Sequence, residues 1–186
     1  MIWVISKMSG TKLIETDRLV LRKVTMNDAH DLFINWASDI KTNEYLTFKC
    51  HDTEETTKKV ISYWLKKYEE NGFEWCIEVK DTKEVIGIIS ANTSYKYNTL
   101  EIGYSISSKY WNKGYVTEAV KAIIDYLFNE CNYNIIEAVI PSNNIGSIKV
   151  AEKCGMKLEA TLKDRYKNKL TGKMNDLLIY SIFNNN

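Results

Sequence analysis

Proline and charge imbalance are nearly absent from this chain of 186 residues. Pro141 is the only proline, and no segment is repetitive, so long proline-rich connections are excluded. The formal net charge is +1, and no global field favours nucleic acid or an anionic membrane. We therefore expect neither partner. The one locally basic stretch, 157–173, is interpreted as a solvated hairpin face or, alternatively, as a rim that attracts an anionic partner.

Cysteine and histidine are too few and too scattered for a recognisable metal site. The four cysteines are Cys50, Cys76, Cys131 and Cys154. No two of them have the spacing of zinc ligands, and only His30 and His51 could join them. We predict no metal, reduced and mostly buried cysteines, and a cytoplasmic location.

Long apolar runs are also missing. The apolar start at 1–5 is far too short for a signal peptide or a membrane span, and no later run approaches that length. The length suits one ordinary domain, and an apolar fraction of 45% supports one sizeable core. We predict a loose leader at 1–10 and a single domain at 11–186.

Hydrophobic periodicity predicts an α/β (α+β) arrangement. Strands rich in β-branched and aromatic residues are predicted at 18–24, 73–79, 85–92, 100–107, 135–140, 157–165 and 174–183. Helices are predicted after the N-caps Thr25 and Thr53, and at 114–129 and 144–154. The order of one strand, two helices, three strands, a helix, a strand, a helix and two strands predicts a mixed sheet with helices on both faces.

The segment 105–119 runs from a strand through a turn into a long helix. The unpaired N–H groups at a helix start, together with the helix dipole, attract a pyrophosphate. Gly114 lets the backbone approach phosphates without a Cβ, and Lys113 could add a point charge. Ordinary strand-to-helix turns also contain glycine. Because the glycine patterns of dinucleotide folds and P-loops are absent, we predict a pyrophosphate ligand with a long arm along the strand.

Three blocks of sequence resemble the GNAT superfamily of N-acetyltransferases. They are EIGYSI at 101–106 with YWNKGYVTEA at 110–119, NIGSIKVAEKCGM at 144–156, and ETDRLVLR at 15–22. The resemblance covers 13–183 and is closest to the ribosomal-protein N-terminal (alanine/serine) acetyltransferases. It implies a GNAT fold, with a mixed, mostly antiparallel sheet of about seven strands. It also implies acetyl-CoA as cosubstrate and a primary amine as acceptor, foremost a protein N-terminal α-amine.

The resemblance assigns the cosubstrate to the end of a strand, the following turn and a later helix start. The cofactor-binding residues are Tyr104, Ser105, Ile106, Asn112, Lys113, Gly114, Tyr115, Val116, Thr117, Asn144 and Ser147. In this scheme the backbone N–H of Ile106 faces the acetyl carbonyl as an oxyanion donor. The family pattern has Gln or Arg where Trp111 stands, and Gly or Ala where the bulkier Val116 stands.

Glu101 is the candidate general base. Strand alternation puts it on one face with the small residues Gly103 and Ser105, which leave room for a substrate. A polar residue on the solvent side of an amphipathic strand is an equally good explanation. The family's usual acid, a tyrosine, is replaced by Ala151, so Ser147 is the candidate that protonates the thiolate, with Tyr180 as a weaker alternative.

The sequence is consistent with three hypotheses about the acceptor. Neutralising an α-amine of pKa near 8 at pH 7 costs about 1.4 kcal/mol, against about 4.6 kcal/mol for a lysine, which favours a protein N-terminus. A polyamine or aminoglycoside could instead use an acidic surface, and a non-catalytic acetyl-CoA-binding domain is the third reading. The acidic residues are Asp39, Glu44, Asp52, Glu54 and Glu55.

Aromatic residues could line an acceptor groove built by 25–72 and by the loop at 166–173, although aromatic residues at helical spacing are usually core. They are Trp36, Tyr45, Phe48, Trp64 and Tyr166. The sequence also leaves a homodimer open.

Overall fold

The computed structural model describes residues 10–46, 49–95 and 98–184. An eight-stranded sheet forms the centre of this part of the chain. Its strands are β1 (Ile14–Glu15), β2 (Leu19–Arg22), β3 (Phe73–Val79), β4 (Val85–Tyr95), β5 (Thr99–Ile106), β6 (Ile135–Pro141), β7 (Lys157–Lys167) and β8 (Met174–Phe183). The predicted leader at 1–10 lies outside the described residues except for Gly10, and so does Phe48.

The sheet has the strand order β1-β2-β3-β4-β5-β6-β8-β7. Of the strand pairs that the structure describes, only β5 with β6 is parallel. The predicted mixed, mostly antiparallel sheet is therefore confirmed. The strand beyond the predicted seven is β1, whose two residues are too few to produce an alternation pattern.

Five α-helices accompany the sheet in the described residues. They are α1 (Ala29–Leu32), α2 (Ile40–Asn43), α3 (Glu54–Glu69), α4 (Tyr115–Asn129) and α5 (Ile145–Lys153). Thr53 caps α3 as predicted, since its Oγ1 accepts from the N–H of Thr56 at 3.3 Å. A capping box of Thr25 and Asp28 is also present, but the helix predicted after it is a 3-10 turn, then α1, then a π-helical turn.

Two apolar cores lie on opposite faces of the sheet. Trp75 and Ile77 of β3 belong to the core under α4, whereas Cys76 between them belongs to the core under α1 and α3. This division follows from the alternation of side chains along a strand. Trp36 and Trp64 are buried in the second core, with ring centroids 5.9 Å apart, so these two aromatic residues are core residues and line no groove.

The strands β5 and β6 diverge, and this divergence positions the site. Their pairing covers Thr99 with Ile135, Leu100 with Ile136 and Glu101 with Glu137. Beyond Glu101, β5 stays paired with β4 as far as Ile106, and β6 stays paired with β8 as far as Pro141. Within the described chain, the edge of β5 that faces β6 therefore has no strand partner after Glu101, and a wedge opens inside the sheet.

No helix within 10–46, 49–95 and 98–184 has the length and apolar character needed to cross a membrane.

Candidate active site

A cavity of about 550 Å³ lies where β5 and β6 separate. The end of β5, the turn before α4, the first part of α5 and the segment around α2 form its walls. Ten of the twelve predicted site residues line it: Tyr104, Ser105, Ile106, Asn112, Gly114, Tyr115, Val116, Thr117, Asn144 and Ser147. The remaining two, Glu101 and Lys113, lie outside the lining.

The open edge of β5 directs backbone polar groups into the cavity. The N–H of Ser107 donates to the carbonyl of Ile86 at 2.8 Å. In an antiparallel ladder, alternate residues turn both polar groups to the same neighbour, so Tyr104 and Ile106 turn theirs away from β4 and towards the wedge. Because β6 has left, the N–H groups of both residues and the carbonyl of Tyr104 are available to an extended ligand, as a strand edge is to an added strand.

The carbonyl of Ile106 has partners of its own. It accepts from Nε1 of Trp111 at 3.0 Å and from Oγ1 of Thr42 at 3.3 Å. The next turn is held in the same way, since the N–H of Ser108 donates to a carboxylate oxygen of Asp39 at 3.2 Å. Burial acts to raise the pKa of Asp39, but the hydrogen bonds from Ser108 and Thr42 outweigh it and lower that pKa. These contacts link α2 to the cavity wall.

The turn into α4 exposes backbone donors because it lacks a side-chain cap. Asn112 and Gly114 have positive φ angles of 59° and 81°, and Gly114 is the N-cap residue. Glycine has no side chain to accept from the first N–H groups of the helix, so those at 115–117 keep no partner within the helix. The same residues line the cavity, where the helix dipole favours an anion.

The side chain of Lys113 does not line the cavity. Its ammonium nitrogen lies 4.7 Å from the centroid of the Tyr110 ring, a cation–π contact. The Tyr110 hydroxyl donates to Glu84, and this hydrogen bond, with burial, raises the pKa of Tyr110 to about 12. The point charge predicted for Lys113 is therefore located over an aromatic ring beside the cavity.

A pair of hydroxyl groups faces the cavity from its other wall. Ser147 donates from Oγ to the Tyr104 hydroxyl at 2.9 Å, and that hydroxyl donates to the carbonyl of Ser147 at 3.0 Å. Burial raises the pKa of Tyr104 above its usual range, so the phenol stays neutral. Tyr104 was predicted to bind the cofactor, but no local pattern indicates its partner Ser147, which is 43 residues away.

Asn144 is the N-cap of α5. Its Oδ1 accepts from the N–H of Ser147 at 3.1 Å, which leaves the side-chain NH₂ group free of the cap. Ala151, where the family has a tyrosine, is fully buried. Tyr180 lies on β8 outside the cavity lining, and its hydroxyl is 3.4 Å from Oε1 of Glu152. The structure therefore brings Ser147, but not Tyr180, to the cavity.

Glu101 is exposed at the point where the strands part. It is the last residue of β5 paired with β6, opposite Glu137. Burial, and then the charges of Glu159 and Glu101, raise the pKa of Glu137. Tyr104 is three positions further, about 10 Å along the strand. Glu101 therefore lies beside the cavity and not in direct contact with its wall at Tyr104.

The end of the cavity near α2 is closed by polar contacts between distant segments. The Tyr45 hydroxyl donates to the carbonyl of Asn143 at 3.4 Å, and the Tyr166 hydroxyl donates to the carbonyl of Glu44 at 3.2 Å. Oε1 of Glu44 also accepts from the side chain of Asn168 at 3.4 Å. Two of the predicted groove aromatics, Tyr45 and Tyr166, are therefore near the cavity.

The acidic surface considered for a polycationic acceptor is divided in the structure. Of its five members, only Glu44 lines the cavity. Glu54 and Glu55 form ion pairs with Lys58 at 3.2 and 2.7 Å, and Glu54 also contacts His30 at 3.0 Å. These two carboxylates belong to the surface of α3.

Several lining residues were not assigned to the cavity from the sequence. They are Thr42, Glu44, Tyr45, Leu46, Tyr110, Trp111, Asn143, Ile145, Gly146, Lys149, Val150 and Lys153. Helical spacing could have indicated those in α5, because positions 146, 149, 150 and 153 share one face of a helix. Around α2, Glu44 and Tyr45 were predicted only as possible acceptor-site residues, and no local signal marks Thr42 and Leu46.

The arrangement fits the cosubstrate that the sequence resemblance implies. Backbone donors at a helix start suit a diphosphate, and the open edge of β5 suits the amides of a pantetheine arm. Gly114 has a φ of 81°, so a residue with a side chain would be strained at this turn, although its Cβ would make only ordinary van der Waals contact, 3.4 Å from Nη2 of Arg18. The described residues contain no group of three or more metal-binding side chains.

Comparison with known proteins agrees with the family resemblance of the sequence. The sequence profile of the family described as "Acetyltransferase (GNAT) domain" matches residues 18–157. The uncharacterized N-acetyltransferase YoaA of Bacillus subtilis (strain 168) is 31% identical over 172 residues, which are 91% of this chain and 96% of YoaA.

Solved structures have the same architecture. An acetyltransferase (GNAT family) from Bacillus anthracis is 26% identical, with a TM-score of 0.81 over 94% of this chain and 100% of its own. The ribosomal-protein-S5-alanine acetyltransferase from Vibrio fischeri has a TM-score of 0.82 over 94% of this chain and 98% of its own. Its identity of 23% makes this a likeness of fold.

Proposed function

The chain belongs to the GNAT acetyltransferase family and is an acetyl-transferring enzyme, and on that premise we propose that its acceptor is the α-amine of a protein N-terminus. The observation that carries this proposal is the wedge between β5 and β6, with backbone donors along one wall and hydroxyl groups along the other. The predicted branch agrees with the presence of a ribosomal-protein acetyltransferase among proteins of the same fold.

Acetyl-CoA supplies an acetyl group already activated as a thioester. The N–H groups at 115–117 bind the diphosphate, and the open edge of β5 at Tyr104 and Ile106 binds the pantetheine arm. The N–H of Ile106 donates to the acetyl carbonyl, where negative charge develops during transfer. The side-chain NH₂ group of Asn144, which the helix cap leaves free, donates to a pantetheine carbonyl.

Two side chains handle the protons. Glu101 takes a proton from the acceptor amine through bridging water as the bond from nitrogen to the acetyl carbon forms. As the carbon–sulfur bond breaks, Ser147 turns its hydroxyl hydrogen from Tyr104 to the sulfur and passes it a proton, and solvent water, which receives the proton taken up by Glu101, replaces it. Tyr104 holds the Ser147 side chain towards the cavity, and its raised pKa keeps it a neutral hydrogen-bond partner.

The position of the proposed base indicates which kind of amine the enzyme can acetylate. Glu101 lies outside the cavity lining, so it suits an amine that is easily neutralised, and an α-amine costs about 3 kcal/mol less to deprotonate at pH 7 than a lysine. A polycationic amine is the second candidate, because the carboxylates of Glu101 and Glu159 both lie close enough to Glu137 to help raise its pKa, after burial. None of the four cysteines, all among the described residues, forms a disulfide, which suits the reducing cytoplasm that we propose as the location.

The test measures coenzyme A release with a panel of acceptors. It includes peptides with free N-terminal alanine or serine, the same peptides blocked at the N-terminus but carrying an internal lysine, spermidine, and an aminoglycoside. We expect turnover with the free N-termini and little with the blocked peptides. Turnover with spermidine or the aminoglycoside alone would establish the second candidate. Coenzyme A binding without turnover on any amine would indicate the non-catalytic alternative.

A further inference from the structure

Arg18 connects the turn between β1 and β2 to the start of α4. Its Nε and Nη2 atoms donate to one oxygen of Glu118, at 2.7 and 2.6 Å. Its Nη1 atom donates to the carbonyl of Lys113 at 2.9 Å, and its guanidinium carbon lies 4.4 Å from the centroid of the Tyr115 ring. One side chain from the ETDRLVLR block thus contacts Lys113 in the turn before α4 and two residues in the first turn of that helix.

Glu118 is a fixed partner for Arg18. Its Oε1 accepts from Oγ1 of Thr16 at 2.6 Å and from the backbone N–H of Arg18 at 2.9 Å. Burial acts to raise the pKa of Glu118, but hydrogen bonds from Thr16 and Arg18 outweigh it and lower that pKa. The carboxylate is therefore ionised at neutral pH in the first turn of α4, beside the N–H groups assigned to the diphosphate.

The bond to Lys113 fixes the orientation of one peptide unit. A trans peptide directs its C=O and N–H to opposite sides, so holding the carbonyl of Lys113 at Arg18 turns the N–H of Gly114 away from Arg18. Gly114 lines the cavity and has a φ of 81°, and it has no side chain of its own to hold this conformation. A contact from outside the turn supplies that restraint.

We propose that Arg18 is a positioning residue for the diphosphate of acetyl-CoA. It orients the peptide between Lys113 and Gly114, and it neutralises the Glu118 carboxylate that would otherwise repel the diphosphate. Arg18 does not line the cavity, so it acts through the turn and not by touching the ligand. This inference rests on the proposed binding of acetyl-CoA. It gives the ETDRLVLR block at 15–22 a role in that binding.

The test uses a donor that lacks the diphosphate. In Arg18→Ala, the KM for acetyl-CoA should rise about tenfold, equivalent to about 1.4 kcal/mol, while kcat/KM for S-acetylpantetheine stays close to the wild-type value. Calorimetry should show the same loss of affinity for coenzyme A in the absence of any acceptor. Arg18→Lys should fall between the two proteins, because an ammonium group keeps the charge but cannot hold Glu118 and the Lys113 carbonyl together.

Lys12→Ala is the matched control. Lys12 pairs with Glu130 at 2.5 Å, so this variant also removes a cation paired with a glutamate next to α4, but at the opposite end of the helix. Its affinity for coenzyme A should equal that of the wild type. A loss of the same size for both donors in Arg18→Ala would overturn the proposal, and so would unchanged affinity for coenzyme A.

Arg18→Lys keeps the test decisive if Arg18→Ala does not fold, because wild-type affinity for coenzyme A in that variant would also overturn the proposal. A wild-type protein that binds coenzyme A but acetylates no amine would contradict the proposed function alone. The calorimetric comparison needs no acceptor, so it would still support or overturn the role of Arg18.

Discussion

At the scale of single residues, the candidate site separates binding from proton transfer. The groups assigned to the cosubstrate are mostly backbone N–H groups, at Ile106 and at 115–117. Binding through them depends little on which side chain each residue carries. The groups assigned to proton transfer are the side chains of Glu101, on β5, and of Ser147, on α5. Substitution should therefore affect rate and affinity separately.

Glu101→Gln tests this separation. Loss of a general base should lower kcat about a hundredfold or more, because the acceptor amine then loses its proton acceptor. The affinity for coenzyme A should be unchanged, since Glu101 lies outside the cavity lining. Steady-state kinetics near pH 7 and calorimetry measure the two effects.

Glu137→Gln is the control for Glu101, because it removes the carboxylate that is its register partner on β6. Its kcat should stay within a few-fold of the wild type. Unaltered kcat in Glu101→Gln, or an equal loss in both variants, would remove Glu101 as the base.

At the scale of elements, the start of α5 has two proposed tasks. Asn144 caps the helix through its oxygen, and the proposed function uses its nitrogen as a donor to the pantetheine arm. Aspartate caps a helix as well as asparagine does but has no N–H to donate. The two tasks can therefore be tested with different substitutions.

Asn144→Ala should lower the free energy of unfolding by about 1 kcal/mol through loss of the cap. It should also weaken coenzyme A binding. Asn144→Asp should keep wild-type stability in urea denaturation and still bind coenzyme A more weakly by calorimetry. If Asn144→Asp bound coenzyme A as tightly as the wild type, Asn144 would be a cap residue only.

Element boundaries agree with the sequence prediction to within three residues for α4, α5 and the seven predicted strands. The helix predicted after Thr25 is the exception. There, tertiary contacts to β4 compete with helical hydrogen bonding: Asp31 accepts from the N–H of Val85 at 3.1 Å, and the side chain of Asn35 donates to the carbonyl of Val85 at 3.3 Å. Periodicity along this segment cannot reveal contacts with a strand some 50 residues away.

At the scale of the whole molecule, ligand binding should appear as stability. Coenzyme A at about 100 times its Kd stabilises the native state by about 2.7 kcal/mol. For a chain of this size, that should raise Tm by about 5–10 °C. Thermal unfolding with and without coenzyme A measures this shift. A Tm that does not change in millimolar coenzyme A would contradict the proposed binding.

The shift should depend on Gly114. Valine at a φ of 81° is strained, by about 1–3 kcal/mol, and its side chain would obstruct the turn that approaches the diphosphate. In Gly114→Val, coenzyme A at the same concentration should therefore raise Tm by no more than about half as much. Gly172→Val is the matched control, because Gly172 also has a positive φ, 69°, but a Cβ there would have no neighbour within 4 Å. It should lose stability and keep the full shift.

Local pattern in the chain was enough to predict the order of the seven strands and the turn before α4 to which we assign the diphosphate, because periodicity and a glycine at a helix start act over a few residues. The divergence of β5 from β6 after Glu101 depended on the tertiary structure, and so did the contacts of Tyr104 with Ser147 and of Arg18 with Lys113. These pairings join residues 36 to 95 positions apart, and their geometry depends on how the whole sheet packs.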